Sequence, residues 1–197
     1  MLSRSLLLAS VFAATSIVAT ATAAQADDWD GWNISLMGGQ TYSPHLSVGG
    51  APAKVDNGFN AGGRLGYDLG DWTGVRGLEL ATDIFYTQSD YGVRQARLSS
   101  LSFMGDVIYH VDLGLPVGVY GGAGVGGVRT MINNPTVDSG GTVFAWQALG
   151  GVDYQLTPES KLFAEYRYQN AHDANVGSVH GVGYTSNNVS AGIKIDL

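Results

Sequence analysis

The stretch Ser100-Leu101-Ser102-Phe103-Met104-Gly105-Asp106-Val107-Ile108-Tyr109-His110-Val111 carries the reading of the fold. Leu101, Phe103, Val107, Tyr109 and Val111 share one parity, and Ser100, Ser102, Asp106 and His110 share the other. Successive side chains of an extended strand point to opposite faces, so this stretch has a greasy side and a polar side. A helical period would mix the two sets around one cylinder. A strand is expected over about Leu98–Val111.

The same alternation recurs on both sides of it. Upstream, Trp32–Thr41 sets Trp32, Ile34 and Leu36 against Asn33 and Ser35. Gly58–Gly70 sets Phe59, Ala61, Leu65, Tyr67 and Leu69 against Asn60, Arg64 and Asp68. Arg76–Gln88 sets Leu78, Leu80, Thr82, Ile84 and Tyr86 against Glu79, Asp83 and Thr87. Downstream, Val117–Arg129 is glycine-rich, with Val117, Val119, Ala123 and Val125 on one face. Thr142–Leu156 sets Phe144, Trp146, Ala148, Val152, Tyr154 and Leu156 against Gln147, Asp153 and Gln155. Lys161–Gln169 sets Leu162, Ala164, Tyr166 and Tyr168 against Lys161, Glu165 and Arg167. Asn188–Leu197 sets Val189, Ala191, Ile193, Ile195 and Leu197 against Ser190, Lys194 and Asp196.

The connections alternate in length. Tyr42–Asn57, Ser89–Arg97, Thr130–Gly141 and Asn170–Asn187 are long; Asp71–Val75, Asp112–Pro116 and Thr157–Ser160 are short. An up-and-down barrel in an outer membrane has this asymmetry, with long loops outside and tight turns in the periplasm. The expected fold is all-β: an eight-stranded antiparallel up-and-down transmembrane β-barrel. Charged residues make up 14% of the chain and hydrophobic ones 45%, against roughly 25% charged in soluble domains. The polar face is poor in charge for a water-facing wall. The apolar face is therefore expected to meet lipid, in the reverse of a soluble periplasmic ligand-binding barrel. Past the first residues no run is long enough for a spanning helix, and only a closed barrel satisfies its backbone in lipid.

The chain begins like a secreted precursor. Arg4 precedes an apolar run through Ala14, and Ala24-Gln25-Ala26 gives an A-x-A site before Asp27-Asp28. The pattern predicts a cleavable signal peptide over 1–26 and a barrel over 27–197. There is no cysteine, which excludes thiolate metal sites and cysteine nucleophiles. The net charge of -7 argues against nucleic acid as a partner. With both termini in the periplasm, aromatic residues fall at two levels. Trp32, Tyr67, Trp72, Tyr109 and Tyr154 lie near the periplasmic ends, and Phe59, Tyr86, Phe144, Trp146 and Tyr168 nearer the outer ends, as interface girdles do.

The polar face places Arg64, Asp68, Glu79, Asp83, Asp106, His110, Asp153, Lys161, Glu165, Arg167, Lys194 and Asp196 in the lumen. If the short turn centres near Thr73, Arg64 stands opposite Asp83, in reach of a bidentate pair. Eight strands leave room mainly for side chains. The expectation is a structural plug of ion pairs closed to solutes, with a narrow acidic, cation-preferring pore as the alternative. His45, His172 and His180 fall in long loops without metal-ligand spacing, so no metal or cofactor is expected. The run Gly121, Gly122, Gly124, Gly126, Gly127 lacks the lysine and helix of a phosphate loop; glycine there suits close packing, curvature or lumen space.

The Trp32-rich start, Val119-Tyr120-Gly121-Gly122-Ala123-Gly124-Val125-Gly126 and Tyr166-Arg167-Tyr168 resemble the small outer-membrane β-barrel family. That family includes the Omp25/Omp31-type surface proteins of alphaproteobacteria and the OmpA-like transmembrane barrel. The resemblance implies a Gram-negative outer-membrane location and insertion by the outer-membrane assembly machinery. It further implies contact with membrane lipid and lipopolysaccharide, and a role as a structural envelope component and surface antigen. Other envelope proteins could be contacted through the loops. Leu197 stands where many members end in Phe or Trp, and no peptidoglycan-binding domain of the OmpA type is expected after it. Tyr166–Asp173 distantly resembles the site region of the lipid A deacylases, another set of eight-stranded barrels. No serine stands two residues after His172, so no enzyme is expected.

Overall fold

The computed structural model describes the backbone of residues 30–48, 51–54, 56–91, 96–133, 142–176 and 179–197. The expected signal peptide lies outside the described residues. The strands are β1 (Trp32–Val48), β2 (Ala51–Lys54), β3 (Gly58–Asp68), β4 (Leu78–Tyr91), β5 (Ala96–Asp112), β6 (Val117–Asn133), β7 (Thr142–Thr157), β8 (Ser160–Val176) and β9 (Val179–Asp196). A four-residue helix, α1 (Gly70–Thr73), fills the turn between β3 and β4.

All pairings are antiparallel, and β1 closes the ring on β9. One edge of β1 is taken by β9 from Asn33 to Ser47. The other is shared, with β3 on Trp32–Thr41 and β2 on His45–Val48. β2 therefore continues the place of β3 in the wall, and the barrel has eight staves in the order β1, β3, β4, β5, β6, β7, β8, β9. Closure gives every stave from β3 round to β9 and β1 a partner on both sides, and only the short β2, at the long-connection end, is paired on one side alone among the described residues; a closed ring is the condition for a sheet to stand in lipid.

Burial alternates along the staves as the sequence pattern requires, with the apolar parity outward. Ile84 and Phe103 are each 53% exposed and Val125 56%, while Arg64, Asp83, Gln147 and Arg167 on the other parity are buried. A soluble chain seldom exposes so continuous an apolar wall. The described part of the molecule is thus a barrel turned greasy side out, not a soluble binding barrel.

The structure departs from the sequence reading in three places. Strand runs well into the long connections: β1 reaches Val48, β4 Tyr91, β6 Asn133 and β8 Val176, and β9 starts at Val179. Alternation fades there because, above the membrane, no lipid selects an apolar row, while backbone pairing continues unaided. Asn170–Asn187, expected as a long loop, is accordingly for the most part a paired hairpin. Asp68 is exposed rather than lodged in the lumen, and accepts the Gly70 N–H at 2.6 Å at the entry to α1. The inner face is also less polar than expected. Met37, Ala81, Phe85, Ile108, Tyr120, Leu149 and Phe163 form an apolar cluster inside.

That cluster explains much of the glycine. Phe85, Tyr120 and Phe163 stand directly across the ladder from Gly62, Gly151 and Gly192. A Cβ on those glycines would come within 2.6, 2.6 and 2.5 Å of the respective side chain. Each glycine leaves the space its large cross-strand neighbour fills, so a narrow lumen accommodates rings without distorting the wall.

Candidate functional site: the lumen

β3, β4 and β8 bring four buried ions together. Arg64 and Asp83 are cross-strand partners, and they meet fork to fork: Nε donates to Oδ1 at 2.7 Å and Nη2 to Oδ2 at 3.1 Å. Arg64 Nη2 also lies 2.9 Å from Glu165 Oε2. Arg167 Nη2 donates to Asp83 Oδ2 at 2.6 Å and to Glu165 Oε1 at 2.8 Å. The four ions form a closed, alternating ring of zero net charge. The Arg167 guanidinium lies 4.3 Å from the centre of the Phe85 ring, a cation–π contact, and Tyr120 donates to Glu165 at 3.2 Å.

In the stave order, β4 and β8 are four places apart in a ring of eight. The Asp83–Arg167 contact therefore spans the diameter of the barrel, and Arg64–Glu165 spans three staves. Charges buried at this depth cost several kcal/mol each unless paired. Here each ion has two counter-ions, and the bidentate geometry is the strong form of the contact.

Toward the short-turn end lies a second group. Lys194 donates to Glu79 at 2.5 Å across three staves, and Asn33 donates to the same oxygen at 3.1 Å. His110 stands 3.3 Å from Glu79 and 3.8 Å from Asp153. Lys161 pairs with Asp196 at 3.3 Å at the mouth. A cavity of about 10 Å³, bordered by Glu79, His110, Asp153, Lys161 and Lys194, has room for about one water.

On the other side of the ring Asp106 is the one charged group among the described lining residues. Asp106 is fully buried and accepts from Gln147 at 2.6 Å, with no cation paired to it. Gln169 donates to Gln147 at 3.3 Å, and Ser190 donates to Asn60 at 2.8 Å. Of the ionisable residues assigned to the lumen from sequence, all but Asp68 thus face it. Tyr120, Gln169 and Phe85 are members of the site that the sequence reading did not single out. Tyr120 carried a signal, since it lies off the apolar parity of its strand. Among the described residues no group of His, Cys, Asp and Glu is arranged to hold a metal. The side chains of His45, His172 and His180 lie outside the described ones.

The aromatic residues stand at both ends of the apolar wall. Trp32 packs on Tyr67 with ring centres 5.0 Å apart, and Tyr109 and Tyr154 are exposed at the same end. Trp72 is 88% exposed on α1. At the other end Phe59 packs on Tyr86 at 6.0 Å and Trp146 on Tyr168 at 5.4 Å, with Phe144 exposed beside them. Ten residues separate Phe144 from Tyr154. At ~3.3 Å per residue and a tilt of ~40°, that is a band ~25 Å tall, the height of an outer-membrane apolar belt.

Comparison with known proteins agrees with this geometry. The family model described as outer membrane protein beta-barrel domain matches residues 10–194. Neisserial surface protein A is similar in structure at 25% identity and a TM-score of 0.65, over 85% of this chain and 98% of that one. OprG from Pseudomonas aeruginosa is similar at 16% identity and 0.49, over 85% and 98%. Ail of Yersinia pestis is similar at 15% and 0.48, over 84% and 99%. None of the curated protein sequences matches. The protein resides in the outer membrane of a Gram-negative bacterium, and the chain belongs to the outer membrane protein beta-barrel domain family.

Proposed function

We propose that this protein is a structural, surface-exposed barrel of the envelope, with a lumen closed to solutes and no catalytic role. The observation that carries the reading is the Asp83–Arg167 contact at 2.6 Å. A salt bridge across the full diameter, flanked by Phe85 and Tyr120, leaves a hydrated ion no straight path. The similarity to Neisserial surface protein A, a surface protein by its name, supports exposure at the cell surface. The finer placement among Omp25/Omp31-type proteins is part of the same proposal. So are removal of residues 1–26, insertion by the assembly machinery, and contact with lipopolysaccharide and other envelope proteins.

Planar-bilayer recording tests it: purified protein is expected to give no steady conductance. Stable, reproducible, cation-selective steps would replace this reading with the pore. One feature favours that second reading: Glu79, Asp83, Asp106, Asp153, Glu165 and Asp196 outnumber Arg64, Lys161, Arg167 and Lys194 along the lumen. Intact mass of the membrane-extracted protein is expected to correspond to a chain starting at Asp27; a start at Met1 would refute the cleavage. Lipid A from cells with and without the protein is expected to have the same mass spectrum, and a lost acyl chain would identify an enzyme.

A further inference from the structure

Among the described outward-facing strand residues, Arg129 on β6 alone carries a charge. It is exposed and has no ion pair with another described residue. Its height is fixed by the ladder. Gly127 pairs with Phe144 and Arg129 with Thr142, so Arg129 stands two rungs beyond the outer aromatic level. Two rungs correspond to ~5 Å along the membrane normal. Four rungs further out the ladder pairs Arg97 with Asn133.

A cation on a lipid-facing wall costs about 2–4 kcal/mol at the midplane and ~0–1 near the interface. Arg129 occupies the level where that cost vanishes and where the phosphates of lipid head groups lie. A guanidinium binds phosphate through parallel N–H···O bonds that a point charge does not match. The chain carries -7 and as a whole is repelled by an anionic surface, so an outward cation at this level acts through a local contact rather than a general attraction.

We propose that Arg129 is a phosphate-binding site for the glycolipid of the outer leaflet, holding one lipid A phosphate against the β5–β6–β7 wall. The assignment deepens the envelope role above and rests on that reading, with the short turns taken to face the periplasm as the alternating connection lengths imply.

The full mature protein in nanodiscs tests it by native mass spectrometry. The probes are bis-phosphorylated lipid A, enzymatically dephosphorylated lipid A and phosphatidylglycerol. Wild type is expected to retain bis-phosphorylated lipid A about fivefold more than Arg129→Gln does, the effect of one basic residue near an anionic surface. Arg129→Lys is expected to be intermediate. Heat-modifiable gel migration confirms that each variant is folded. Equal retention by wild type and Arg129→Gln, or equal retention of dephosphorylated lipid A, overturns the site. Preference for phosphatidylglycerol over lipid A also overturns it, and would place Arg129 at the inner leaflet. None of these outcomes changes the conductance result, so the site and the closed lumen fail separately.

Discussion

Replacing Arg167 by methionine removes the contact that ties β8 to Asp83 on the opposite stave. The loss can be worked from its contacts. Arg167 is 1% exposed, so its partners cannot be rehydrated in place. Asp83 keeps the fork of Arg64, and Glu165 keeps Arg64 Nη2 and the Tyr120 hydroxyl. Two carboxylates are then left facing one guanidinium. Breaking a buried pair by removing one partner costs about 3–5 kcal/mol. Because each carboxylate retains a donor, the lower end applies, about 3 kcal/mol or a factor of ~150 in the folding equilibrium. Pairing the change with Glu165→Gln restores neutrality, since Asp83 and Arg64 then balance. The double variant is expected to recover more than half of the loss. Urea titration of the barrel in lipid vesicles, read by heat-modifiable migration, gives both numbers, and the four-membered cycle isolates the coupling. A loss below about 1 kcal/mol for Arg167→Met would contradict a buried, tightly paired ring of ions. So would a double variant less stable than the single one.

Two further pairs of substitutions probe the wall. Ile84 pairs with Gly63, midway between Phe59 and Tyr67 on β3, and points outward. Ile84→Lys is expected to cost about 2–4 kcal/mol in vesicles, while Trp72→Lys on α1 stays within ~0.5; equal effects would mean that the apolar face does not meet lipid. A Cβ on inward Gly124 would fall 1.9 Å from Asp106 Oδ1 and 2.6 Å from the Gly105 carbonyl, whereas on outward Gly121 its nearest neighbour is 3.8 Å away. Gly124→Ala is expected to cost about 1–3 kcal/mol by overpacking and Gly121→Ala almost nothing, by the same urea titration; the reverse order would assign the wrong face to β6.

Alternation gave away the wall because lipid acts on every outward residue alike: Leu101, Phe103, Val107 and Tyr109 on β5 are selected by one solvent. Turn position gave Arg64 opposite Asp83, since neighbouring registers follow from the turn that joins them. The contact from Asp83 to Arg167 was not legible, because it depends on closure and stagger of the whole ring, which no local pattern encodes. Phe85 and Tyr120 were missed for a related reason. A large ring facing inward breaks alternation unless its cross-strand glycine is seen with it, and Gly62 and Gly151 belong to other strands. Asp68 was misassigned because it is the last residue of β3, where parity still holds but the stave ends at the open mouth and the carboxylate turns to the Gly70 N–H of the next turn.

β8 continues eight residues past Tyr168, and β1 and β9 keep pace with it. At ~3.3 Å per residue along a tilted stave, this collar rises ~20 Å clear of the bilayer. What meets an approaching macromolecule there is a hydrogen-bonded rim with its backbone already set, not a slack tether. Docking onto such a rim sacrifices little chain freedom, so modest contact areas suffice for a durable complex.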